Sequence, residues 1–136
     1  MKNRDIEDLL ITDVFERVCN SRNLKPTLIL KLAYKKKEVR DVLESYLIAK
    51  RALIEPFALK DENNKFKLDQ LGNLIIDPSK ALEFQKSFHE FLGEETGIDI
   101  KPVLVNASVI EDIKLSSNDV VYVSSIIHFE EDDITN

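Results

Sequence analysis

From Asp5 to Cys19 the apolar residues Ile6, Leu9, Leu10, Val14, Phe15 and Val18 recur at three- and four-residue steps, which places them on one face of a helix ending near Asn20. The polar stretch Asn20-Ser21-Arg22-Asn23 follows, and Pro26 then stands where proline is tolerated, in the first turn of a second helix. That second helix dominates the pattern. From 27 to 57 there is no glycine and no proline but Pro56, and Val39, Val42, Tyr46, Ala49, Leu53 and Phe57 alternate three- and four-residue steps, with Leu28 and Leu32 extending the stripe upstream. The stripe resembles a coiled-coil seam. Such a helix spans about 45 Å, whereas a compact chain of this length is about 35 to 40 Å across. The expectation is an elongated molecule or a projecting helix. Its apolar stripe then needs cover, from shorter helices of the same chain or from the same helix of a second subunit.

Helix signals cease at the polar run Asp61-Glu62-Asn63-Asn64. Short apolar runs, Phe66 to Leu68 and Leu74 to Ile76, flank a loop whose Gly72-Asn73 pair suits positive φ, and a small β-hairpin is predicted there. Asp77-Pro78 restarts a helix, with Asp77 as N-cap and Pro78 at the first helical position. Its inner face reads Ala81, Leu82, Phe84, Phe88, Phe91 and Leu92, ended by Gly93. Ile98, Ile100 and Leu104 alternate with polar residues as a strand would, and Pro102 confines that strand to an edge or an end. Val109 to Leu115 makes a short turn of helix or loop. Residues 120–129 carry the β-branched content of a strand and also a helical face at Val120, Val123 and Ile127. Ser116 and Asp119 form a capping-box pattern that favours helix. Glu130-Glu131-Asp132-Asp133 opens a frayed acidic tail over 130–136.

The fold class implied is α+β and mostly helical: one long helix (27–57) packed with shorter helices and a small antiparallel β element (66–76, 98–105). A chain of 136 residues with 43% apolar content can bury one core and is too short for two ordinary domains, so a single domain is expected.

Charge changes this picture in one respect. Up to Phe57 there are twelve Lys or Arg against nine Asp or Glu, net +3, and beyond it seven against sixteen, net −9. The positive excess lies on the long helix, in Lys31, Lys35, Lys36, Lys37, Arg40, Lys50 and Arg51, and these residues form the candidate interaction surface. One reading is a solvated face that complements acidic elements of the same chain or of a neighbouring subunit. The other is a phosphate-contacting face on nucleic acid. Glu38, Asp41 and Glu44 interleave with the bases and no aromatic platform accompanies them, so nucleic acid is left open but is not indicated. A net charge of −6 would repel nucleic acid and anionic membrane unless that local face overrides it.

The chemical inventory is empty of recognisable sites. The three glycines, Gly72, Gly93 and Gly97, are too scattered for a phosphate-cradling loop or a dinucleotide fingerprint. His89 and His128 lack neighbours at metal-ligand spacing, and no glycine-flanked Ser suggests a nucleophile elbow. The carboxylate pairs Glu94-Glu95 and Glu111-Asp112 lie in turn-like polar contexts without the shielding that acid-base work requires. The lone cysteine, Cys19, sits among helical apolar positions and reads as structural; it allows no internal disulfide and points to a reducing compartment. Asp5, Glu7 and Asp8 occupy positions where an export signal needs apolar residues, and no apolar run approaches a membrane span. The expectation is a non-enzymatic protein without metal, cofactor or membrane association, residing in cytoplasm.

Four local sequences carry a family resemblance: Lys31-Leu32-Ala33-Tyr34-Lys35; Ala49-Lys50-Arg51-Ala52-Leu53-Ile54-Glu55; Lys60-Asp61-Glu62-Asn63-Asn64-Lys65 leading through Gly72-Asn73 to Asp77-Pro78; and Phe84 to Phe91 running into Ile98-Asp99-Ile100. Their order, over residues 25–129, resembles a family of small uncharacterised proteins of tailed bacteriophages and prophages of Gram-positive bacteria, described as a domain of unknown function. The Val- and Ile-rich terminal segment departs from the family's Leu-rich helix. The resemblance implies a phage origin, a place in the cytoplasm of a host bacterium or in the virion, and a non-enzymatic role in virion assembly or in handling host factors. It supplies no catalytic residues. The implied partner is a phage or host protein, and the seam leaves a homo-oligomer through the long helix open.

Overall fold

The computed structural model describes residues 1–131; the acidic tail expected over 130–136 lies outside them from Asp132 onward. Helices α1 (Asn3–Ile11) and α2 (Val14–Cys19) replace the single first helix expected from the periodicity. Thr12 is extended, with φ −116° and ψ 152°. Its hydroxyl accepts the Val14 N–H at 3.2 Å, a local side-chain bond that competes with the helical ladder and ends α1. Helix α3 runs Pro26–Ile54 and passes into a 3₁₀ turn at Glu55–Phe57, so the long helix has the extent its periodicity predicts.

The sheet is a correction to the expectation. Its two strands, β1 (Val103–Asn106) and β2 (Ile127–Glu130), pair in parallel, Val103 opposite Ile127 and Asn106 opposite Glu130. A parallel pair needs a crossover, and here it consists of the short helices α5 (Ser108–Asp112) and α6 (Ser117–Tyr122). Pro102, which lacks a donor, stands just before β1, and Val103 makes the first bond, donating to the Ile126 carbonyl at 2.8 Å. Segment 120–129 is therefore both things its sequence suggested. Ser116 and Asp119 close the capping box reciprocally at 3.1 and 2.9 Å to start α6, and the same segment ends as β2, whose last residue is Glu130.

Antiparallel pairing does occur in the arm between α3 and α4 (Ala81–Leu92), but only as isolated bridges: Ala58 with Ile76, Lys60 with Phe66, and Leu68 with Leu74. Two aspartates shape it. Asp61 Oδ1 accepts from the Asn63 and Lys65 N–H groups, and Asp69 Oδ1 from those of Leu71 and Asn73. These are Asx-type turns, and Asn64 (φ 62°) and Gly72 (φ 82°) take the left-handed positions they require. Beyond the arm, the Asp77 side chain caps the 3₁₀ turn Pro78–Lys80 that leads into α4, as the sequence predicts.

One aliphatic core joins α1, α2, the first half of α3 and the sheet. Leu9, Val14, Val18, Leu28, Leu32 and Val39 meet Val103, Val105, Val109, Val123, Ile126 and Ile127 in it. The second half of α3 packs differently, on a row of rings from α4. Tyr46 stacks on Phe91 at 5.7 Å, Phe91 adjoins Phe88 at 6.3 Å, Phe88 adjoins Phe84 at 5.6 Å, and Phe57 meets Phe84 edge-on at 5.8 Å. Cover for the α3 stripe comes from the same chain along Leu28, Leu32, Val39 and Tyr46, while Ala49 is exposed and Leu53 and Phe57 are half-buried. Leu82, expected on the inner face of α4, is 82% exposed. It stands two residues before Phe84, about half a turn from the ring row.

Candidate functional site

Along the first half of α3 the inward positions are Leu28, Leu32, Lys35 and Val39. The outward positions follow from the helical step. Leu30, Tyr34 and Lys37 form one row, and Ile29, Lys36 and Arg40 the next, because residues three, four and seven apart share a face. All six are exposed, as is Lys31 at the flank, and Leu30 and Tyr34 are 60% and 70% exposed. Among the described residues, Lys31, Lys36, Lys37 and Arg40 form no ion pair. Lys35 departs from the candidate surface. Its stem is buried and its Nζ bonds Glu38 Oε2 at 2.9 Å, so the ammonium is neutralised while the methylenes complete the inward stripe. Burial pushes the Cys19 thiol of α2 above its ordinary range, with the Lys36 charge opposing and Glu16 adding to the rise. A thiol so placed is a poor nucleophile.

Lys50 and Arg51 lie about 20 Å further along the helix and have different roles. Lys50 Nζ donates to Glu7 Oε1 at 2.8 Å and sits 5.5 Å from the centre of the Phe88 ring. Tyr46 donates its hydroxyl to the other Glu7 oxygen. One α1 carboxylate thus receives a phenol and an ammonium from successive turns of α3. Burial, the hydrogen bond to Glu7 and the Glu7 charge push the Tyr46 hydroxyl well above its ordinary range, so it remains a phenol and a donor. The three side chains clamp α1 to α3.

Arg51 Nε bonds Glu55 Oε1 at 3.1 Å, a pair exposed on both sides. Lys50 and Arg51 also line a cleft of about 540 Å³ between α1, α3 and the arm, together with Leu10, Leu47, Ile54, Gly72, Asn73 and Leu74. The seven cations therefore divide into an outer set (Lys31, Lys36, Lys37, Arg40), one inward residue (Lys35) and a cleft pair (Lys50, Arg51).

His89 and His128 are both exposed, as are Glu94, Glu95, Glu111 and Asp112. Among the described residues no group of three or more His, Cys, Asp or Glu is arranged to hold a metal ion. Among the same residues, no helix is long and apolar enough to cross a membrane. Comparison with family models, curated proteins and solved structures returned no match.

Two features escaped sequence reasoning. Ile29, Leu30 and Tyr34 belong with the outer cations, and the signal for them was present: in the run Leu28-Ile29-Leu30 a helix can turn only part of the apolar surface inward. The cleft had no such signal, since its walls at Leu10, Leu47 and Leu74 stand far apart in the sequence.

Proposed function

We propose that this chain is a phage-encoded, non-enzymatic interaction protein that binds another protein through the outer face of the first half of α3. The observation that carries the reading is the exposure of Ile29, Leu30 and Tyr34 among Lys31, Lys36, Lys37 and Arg40. A solvated helix face has no use for two aliphatic residues and a tyrosine side by side, whereas an apolar centre with a charged rim is the composition of a protein contact. The complementary partner surface would be acidic at its edge and apolar at its centre. Phage origin, and a role in virion assembly or in modulating a host protein, are supported by the family resemblance.

Capture of partners from an infected-cell lysate tests the reading when paired with surface variants. The double variant Leu30→Ser, Tyr34→Ala should lose the partner that the wild-type chain retains. The same change at another exposed apolar position, Leu82→Ser, should leave capture intact. Recovery of the bait alone, or equal capture by the double variant, overturns the proposal. Loss of the captured material on nuclease treatment, together with its loss on replacing Lys36, Lys37 and Arg40 by Gln, transfers the face to nucleic acid instead.

A further inference from the structure

We infer that the cleft between α1, the second half of α3 and the arm binds a small carboxylate carrying an aliphatic body. This site is separate from the outer α3 face and does not depend on the reading given to that face. Its volume, about 540 Å³, falls within the size range of small-molecule pockets. The walls come from three elements: Leu10 of α1, Leu47 and Ile54 of α3, and Leu74 of the arm. Aliphatic surface on three sides suits an apolar body.

The charges decide the other end of the ligand. Among the described residues, Lys50 and Arg51 are the only charged ones lining the cleft, and no carboxylate lines it. Lys50 is committed through one donor to Glu7, but an ammonium has further donors to offer. Arg51 uses only its Nε, on Glu55, which leaves both terminal nitrogens. That Arg51–Glu55 pair is of the exposed i,i+4 kind, which contributes little and is readily exchanged. A ligand carboxylate could take the terminal nitrogens in the bidentate geometry that guanidinium favours, with the Lys50 ammonium beside it. A cationic head would meet two like charges, while the carboxylates beside them, Glu7 and Glu55, are already engaged by Lys50 and Arg51.

Titration of the intact chain with decanoate, decanol and decyltrimethylammonium, read by calorimetry and by amide chemical shifts, tests the inference. Decanoate is expected to bind saturably, with shifts confined to the neighbourhoods of Leu10, Leu47, Ile54 and Gly72 to Leu74. Decanol should bind at least about tenfold more weakly, and the cationic amphiphile not at all. Arg51→Gln, a change at an exposed side chain, should weaken decanoate by about tenfold and leave decanol unchanged. Arg51→Lys should fall between. Leu47→Trp, by filling the cleft, should abolish binding of both. Absence of saturable decanoate binding, equal affinity for decanol, indifference to Arg51→Gln, or shifts centred elsewhere would each overturn it.

Discussion

The two halves of α3 share one continuous apolar stripe in sequence yet are stabilised by different physics. The first half presses Leu28, Leu32 and Val39 into an aliphatic core closed on the far side by the sheet and its crossover, where Val105 of β1 and Val109, Val123 and Ile126 of the connection have no solvent exposure. The second half rests on the half-buried rings of α4 and is fixed by the Glu7–Tyr46–Lys50 clamp, with Ala49 exposed and Leu53 half-buried. A regular seam therefore does not imply regular burial. What lies opposite decides: a sheet backed by a crossover excludes water completely, whereas a single helix with rings on one face covers only part of its neighbour.

The largest effect that would sharpen this contrast is cavity formation. Leu32 is 1% exposed, and Leu32→Ala should cost about 2–5 kcal/mol in denaturant unfolding. The same change at half-buried Leu53 should cost clearly less. Equal losses would break the comparison and make the halves one core. Next comes the clamp. Tyr46→Phe keeps the stacking on Phe91 but leaves a Glu7 oxygen without its donor, and should cost about 1.5–3 kcal/mol, the range for a hydrogen bond to a charged group. A loss near zero would mean that the Tyr46 hydroxyl adds nothing to the Lys50–Glu7 pair in holding α1 to the helix.

The smallest effects are pH-dependent and arise on the elements around the second half. Hydrogen bonds from the Ser79 backbone and side chain hold the Asp77 carboxyl below its ordinary 3.8. Its stabilisation is thus present above that value and is lost as pH falls through the folded-state value. Asp77→Asn, which retains a capping acceptor, should flatten the acid limb of a Tm-against-pH curve. Asp8 has the opposite sign. Burial, Asp5 and Glu7 push its carboxyl above 3.8, with Arg4 opposing, so stability is lost as pH rises through the folded-state value. Asp8→Asn should raise Tm slightly at neutral pH and lose that advantage below about pH 4. An unaltered melting profile for either variant would remove that residue from the acid response of this end of the molecule.

Much of the candidate surface was legible because helical periodicity is local. Knowing that α3 is a helix fixes Lys36 and Arg40 on one row and Lys37 on the adjoining one. Lys35 was not separable from them, since its burial depends on what covers that flank and on Glu38 one turn away. Likewise Lys50 and Arg51 read as more of the same basic face until the arm and α1 made them cleft residues.

The sequence by itself determined the long helix, through an uninterrupted stripe and the lack of glycine; the Ser116–Asp119 cap; the turns of the arm; and the division of charge between the two parts of the chain. Only the tertiary structure decided that β1 finds β2 in parallel across α5 and α6, that Leu82 turns outward, and that one stripe is half dry and half wet. The division has a physical cause. Periodicity, caps and turn residues act over a few neighbouring positions, whereas burial and strand pairing are set by segments such as Val103 and Ile127 that the chain brings together from a distance.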